Sequence, residues 1–187
     1  MPGRAYKALY EVALEQYGYV TTNDARDLGF GPTHLVDLAR RGDVDRIAQG
    51  LYRFRAVPVT IRDQLMEAAL WPRGLGVISH ATALDLWELC DVNPAKVHVT
   101  VPKRERVRRQ APPAYAVHVR DLDPRDVTQT QGIAVVAVRR AILDGIDAGL
   151  GGHLIDQAIE TAEQQGMLTA ETLDELAAAR SAGGRSR

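Results

Sequence analysis

Residues 19–55, YVTTNDARDLGFGPTHLVDLARRGDVDRIAQGLYRFR, constrain this chain more than any other stretch. Thr21 stands three residues before Asp24, the spacing at which a hydroxyl and a carboxylate reciprocally cap a helix start. Ala25 and Leu28 then fall on one helical face. Gly29 ends the segment where a positive φ is needed. A second helix begins at Gly31-Pro32-Thr33, with Leu35, Leu38 and Ala39 as its apolar stripe. Gly42 stops it. Residues 44–47 and 51–54 read as strands joined around Ala48-Gln49-Gly50. A helix over 4–17, with Ala5, Leu9, Val12 and Ala13 on one face, precedes them. Two short helices, a tight link and a β-hairpin, in that order, are a winged helix-turn-helix.

The side chains left outside suit a DNA reader. On the second helix they are Thr33, His34, Asp37, Arg40 and Arg41. Thr33 and His34 lie in the first turn, where such a helix meets base edges. Arg40 and Arg41, at the far end, suit phosphates. The hairpin adds Arg46, Gln49, Arg53 and Arg55, a basic wing beside a recognition helix. Bulk charge argues less, because residues 1–56 hold eight Lys/Arg against seven Asp/Glu. The same fold also serves as a protein-docking module, and that alternative stays open here.

The rest of the chain mixes strands and helices. Thr60 and Asp63 open a helix over 61–70 that carries Ile61, Leu65, Ala68 and Ala69, and Pro72 ends it. A short strand at 77–78 leads to Ser79, an N-cap residue for a helix bearing Ala83, Leu84 and Trp87. His80, at that helix's first position, reads as a structural hydrogen bonder, with no metal partner nearby at a familiar spacing. Val97, Val99 and Val101 alternate along a half-buried strand. Tyr115, Val117 and Val119 alternate along its partner. Between them, 103–109 carry five basic residues and one acid. They are either a second partner contact or a solvated hairpin loop. One or two short strands over 127–136 break at Gly132, and a helix follows over about 137–148. The helix over 153–165 turns Asp156, Glu160 and Glu163 outward. Thr169 caps a last helix with Leu173, Leu176 and Ala177 inward. These elements divide as a DNA-binding domain at 1–57, an α/β domain at 58–180 and a frayed tail at 181–187. The fold class is α+β.

Charge is uneven along this order. Net charge is −1 overall, but residues 57–140 carry twelve basic and nine acidic side chains, and 141–187 carry three and eight. That asymmetry suits two different partners, and it also falls within ordinary surface variation. The single cysteine, Cys90, excludes an internal disulfide and a cysteine metal cluster. No signal peptide and no apolar run near 18 residues is evident, so the chain is expected in the cytoplasm.

Gly18-Tyr19-Val20-Thr21-Thr22, Leu38-Ala39-Arg40-Arg41-Gly42 and Gly50-Leu51-Tyr52-Arg53 resemble the N-terminal domain of AbiEi-family antitoxins. Ile78-Ser79-His80-Ala81-Thr82-Ala83-Leu84, then Val97-His98-Val99-Thr100-Val101-Pro102, resemble the start of that family's second domain. The run from Gly132 to Asp144 resembles its turn into a helix, although Val136, Ala137 and Val138 stand where the family carries threonines. The resemblance implies an antitoxin of a type IV toxin–antitoxin pair that represses its own operon. It also implies a nucleotidyltransferase-like toxin as partner, neutralised by the C-terminal domain with or without a stable complex. The acidic face at Asp156, Glu160 and Glu163 is a weak, separate candidate for toxin contact.

No nucleophile elbow, zinc-protease motif or phosphate loop is present, so no enzyme activity and no cofactor is expected. The five histidines, at 34, 80, 98, 118 and 153, show no cluster spacing, although His98 and His118 lie in strands that could neighbour each other. Operator DNA is expected to be an inverted repeat read by two copies. Without heptads or a long free helix, only a weak or DNA-assisted dimer is expected. The other reading is a stand-alone winged-helix regulator whose second domain binds a ligand or dimerises. An adjacent gene for a nucleotidyltransferase-like protein would separate the two.

Overall fold

The computed structural model of the chain describes residues 3–104 and 111–183. These form two compact units. One reaches to Gly76 and takes in Gln131–Ile133; the other begins at Val77. The class is α+β, a winged helix-turn-helix followed by a mixed domain that ends in helices.

In the first unit α1 (Arg4–Glu15) leads through β1 (Tyr19–Thr21) to α2 (Thr22–Asp27) and α3 (Thr33–Arg41). The wing follows as β2 (Val44–Ala48) and β3 (Leu51–Phe54), and α4 (Asp63–Leu70) completes the unit. The sheet order is β1-β3-β2, antiparallel throughout. Sequence spacing did not reveal β1. Its three residues are all buried, so it shows no alternation. The capping box forms as expected: Thr21 Oγ1 accepts from the Asp24 amide at 3.2 Å, and Asp24 accepts from the Thr21 amide at 2.6 Å. Leu9, Val20, Leu35, Leu38, Val44 and Phe54 make the core. Tyr6 and Tyr10 close it, each edge-on to Phe54 with centroids 5.4 and 5.3 Å away.

The helix expected from 61 starts only at Asp63, and Ile61 is almost wholly exposed. Asp63 is the reason. Its carboxylate accepts from the Thr60 amide and hydroxyl, both at 2.7 Å, which closes a turn ahead of the helix. Buried Tyr19 donates to Glu67 on α4 at 2.9 Å, and burial, then the Glu67 charge, raises the phenol above its ordinary pKa. The division expected at 57/58 would cut these links, and α4 belongs with the first unit.

The second unit is built on a five-stranded sheet, β6-β5-β4-β8-β7. Its strands are β4 (Val77–Ile78), β5 (Val97–Val101), β6 (Tyr115–Val119), β7 (Val127–Thr130) and β8 (Ile133–Val136). Helices α5 (His80–Leu86), α6 (Val138–Asp147), α7 (Gly152–Gln164) and α8 (Ala170–Gly183) accompany it. The strand expected to be half-buried is covered more than that, although His98 on its second face stays half-buried. Val97, Val99 and Val101 face one side, and Thr100 on the other is covered as α5 packs against β5. β6 pairs with β5 in parallel, not as the hairpin partner the sequence suggested. The long connection from Val101 to Tyr115 permits this, since parallel neighbours need a crossover of about a dozen residues. Most of the basic segment at 103–109 lies outside the described residues. Thr169 caps α8 by accepting from the Thr172 amide at 3.2 Å, and Leu176 is buried, but Ala177 is exposed. Arg139 on α6 donates to Glu175 on α8 at 2.6 Å. Helix α8 includes residues 181–183 of the expected tail; 184–187 lie outside the described residues.

Candidate nucleic-acid interface

Helix α3 sets the interface. Leu35 and Leu38 are drawn into the core, which fixes the opposite stripe outward. That stripe holds Thr33, Val36, Asp37, Arg40 and Arg41, spaced three and four residues apart on one face. Val36 is 46% exposed and was missed by the sequence reading, although its place three residues after Thr33 puts it on the stripe. His34 is exposed too. Its Nδ1 lies 3.1 Å from the Gly31 carbonyl oxygen, and its ring sits 5.3 Å from that of Phe30. Arg40 pairs with Asp37 at 3.3 Å, both well exposed. Such a pair contributes little to stability and is readily exchanged for a phosphate. Gly42, at φ +82°, caps the helix in the left-handed region and turns the chain into the wing.

The wing is anchored at its tip. The Thr22 amide donates to the Gly50 carbonyl at 2.9 Å, and Gly50 has φ +76°. Arg46 and Gln49 are exposed; with Thr33 and Arg41 they hold no side-chain hydrogen bond or ion pair among the described residues. Arg55 is exposed but engaged, donating from Nε to Asp45 at 2.9 and 3.0 Å. This contact holds the Asp45 carboxyl below its ordinary pKa. The Arg55 guanidinium also lies beside the α3 C-cap, 3.5 Å from where a Cβ on Gly42 would stand. Around this surface Arg40, Arg41, Arg46 and Arg55 stand against Asp37, Asp43 and Asp45, a local net charge of +1.

Arg53 is a correction to the sequence reading. Its side chain is 13% exposed and pairs with Asp63 at 2.8 Å. Further donors reach the carbonyls of Phe54 at 3.3 Å and of Val57 and Pro58 at 3.1 Å. Nε and both Nη nitrogens are engaged within the chain, so it ties the wing to α4 and is withdrawn from the DNA surface.

The acidic residues proposed for protein contact lie exposed on α7. Asp156 is not an open acid, because Arg180 on α8 donates to it at 2.7 Å. Glu160 accepts from Gln164 at 3.2 Å. The absence of histidine clustering expected from spacing also needs correction: His80, His98 and His118 meet in the second unit. No linear motif could show this, since strand register brings them together.

Residues 7–55, from α1 through the wing, match the family described as "Transcriptional regulator, AbiEi antitoxin". No curated protein matches. The RV2827C protein from Mycobacterium tuberculosis, known from a crystal structure, is similar in fold, with a TM-score of 0.53 and 14% identity. The likeness covers 98% of this chain and 78% of that one. No helix among the described residues is long and apolar enough to cross a membrane.

Proposed function

From the match of residues 7–55 to the AbiEi antitoxin and transcriptional-regulator family, we propose that this chain is the antitoxin of a toxin–antitoxin pair and represses its own operon. The observation that carries the DNA half is the exposed α3 stripe beside a basic wing. Thr33, His34 and Val36 would meet base edges, with Val36 suited to a thymine methyl. Arg40, Arg41, Arg46 and Arg55 would meet phosphates, and Gln49 would add a donor from the wing tip. Asp37 acts on Arg40, setting its direction until phosphate replaces it. The operator would be an inverted repeat held by two copies in a weak or DNA-assisted dimer, and the protein would act in the cytoplasm.

The second unit would neutralise a nucleotidyltransferase-like toxin. Family resemblance supports this, and Glu160 and Glu163 offer an acidic surface for it; Asp156 would first have to leave Arg180. The function proposed is binding, with no turnover. The test is binding of the full chain to DNA upstream of its own gene, followed by fluorescence anisotropy at several salt concentrations. Saturable binding with a steep salt dependence, tighter than to scrambled DNA, is expected. Equal affinity for both DNAs would refute the operator reading.

A further inference from the structure

Three histidines far apart in sequence converge in the second unit. His80 opens α5 at φ +54°, a left-handed conformation that costs a non-glycine residue energy unless its surroundings enforce it. Those surroundings are polar and closed. His80 Nδ1 lies 3.0 Å from Ser79 Oγ and 3.7 Å from Oδ2 of the fully buried Asp144. The Thr100 hydroxyl donates to Ser79 Oγ at 2.8 Å. The expected capping role of Ser79 is therefore lost, and its hydroxyl serves this cluster. Strand register supplies the other two rings. His98 and Thr100 share one face of β5, and Thr100 stands opposite His118 on β6. His98 Nδ1 and His118 Nε2 end 3.0 Å apart.

Two observations point to a metal ion. First, one nitrogen from each ring lies within 4.8 Å of the others. Corners of a tetrahedral ion with bonds of about 2.0–2.1 Å are about 3.4 Å apart, so the widest spacing must close by up to about 1.4 Å while the His98–His118 pair, at 3.0 Å, opens slightly. Ring centroids 5.2 Å apart for His98 and His118, and 5.6 Å for His80 and His98, suit rings radiating from one centre. His80 and His118 lie closer, stacked at 3.6 Å, and one ring must swing for both to ligate. Second, His80 Nδ1 faces the Ser79 hydroxyl oxygen at 3.0 Å and, farther off at 3.7 Å, the Asp144 carboxylate. Acceptors on that side favour the proton on Nδ1 and leave Nε2 with a lone pair. Asp144 is itself fixed by Arg120 at 2.8 Å and Arg140 at 2.7 Å.

We propose that His80, His98 and His118 bind one divalent transition-metal ion of the zinc class, with Asp144 orienting His80 and the fourth corner left open. Arg120 beside the trio opposes a cation, so an anionic fourth ligand, hydroxide or a carboxylate, completes the site. Nothing in this depends on the antitoxin reading.

The test uses the untagged full chain, stripped with a chelator and titrated with Zn(II) by calorimetry and with Co(II) by visible absorption. Uptake of one ion per chain with the bands of tetrahedral Co(II) is expected. His98→Asn and His118→Asn, at half-buried positions, should each weaken binding more than about 100-fold, and Asp144→Asn by about 10–100-fold. His34→Asn and His153→Asn should leave metal uptake unchanged. Circular dichroism tracks folding; if His80→Asn does not fold, the two half-buried variants decide. No saturable uptake by the wild-type chain would overturn the proposal. Unchanged uptake in folded His98 and His118 variants would also overturn it, as would equal loss in the two controls.

Discussion

Asp63→Ala should loosen the first unit without touching its DNA surface. Asp63 Oδ2 accepts from Arg53 Nε at 3.0 Å and Nη2 at 2.8 Å, and Oδ1 accepts twice from Thr60. Both partners of the ion pair are largely buried, at 13% and 9% exposure. Removing one partner of a buried pair costs about 3–5 kcal/mol, because the other charge is left stranded. Arg53 keeps the carbonyls of Phe54, Val57 and Pro58, which places the cost near 3 kcal/mol, the low end of that range. Hydrogen exchange over residues 51–70 reads this as local opening, with amides exchanging about 100-fold faster. The double variant Arg53→Met/Asp63→Leu should recover at least half of the loss, since no charge is stranded. Neither variant should alter the salt dependence of DNA binding. The reasoning fails if stability is unchanged while that slope falls by about one, the signature of a lost phosphate contact.

Other consequences follow from the same structure. Arg41→Ala and Arg46→Ala should each reduce the salt slope of DNA binding by about 0.9 with no loss of stability, read by anisotropy. Gly50→Ala should cost about 1–2 kcal/mol by thermal unfolding: its φ is +76°, and the added Cβ would stand 2.9 Å from Thr22 Oγ1. Phe54→Ala should cost about 3–5 kcal/mol in urea, because Phe54 is fully buried between Tyr6 and Tyr10. Asp144→Ala should cost about 1–3 kcal/mol, since Arg120, 32% exposed, loses its carboxylate partner while Arg140 keeps Asp147 at 3.1 Å.

Local chemistry was legible in the sequence, and side-chain destinations were not. Thr21, Asp24, Gly29 and Gly42 announce the helix boundaries, because capping and positive φ are decided within four residues. The outward face of α3 follows from Leu35 and Leu38 alone, and Val36 could have been read from the same periodicity. Arg53 could not. Its type says only that it donates, and its partner arrives ten residues later on a helix whose packing is tertiary. Ser79 looked like a cap, but Thr100 and His80 claim its hydroxyl. His80, His98 and His118 are separated by 18 and 20 residues, and only the β5–β6 register and the seat of α5 on β5 bring them together.

The most direct test of the central claim is a co-expression experiment with the adjacent gene product, both proteins under independent promoters. Growth is followed with the wild-type chain and with Arg41→Ala/Arg46→Ala, alongside a reporter fused to the native upstream DNA. The account predicts that the neighbour arrests growth, that both chains rescue it, and that only the wild-type chain represses the reporter. A harmless neighbour, or a toxic one that the wild-type chain fails to neutralise, would contradict it.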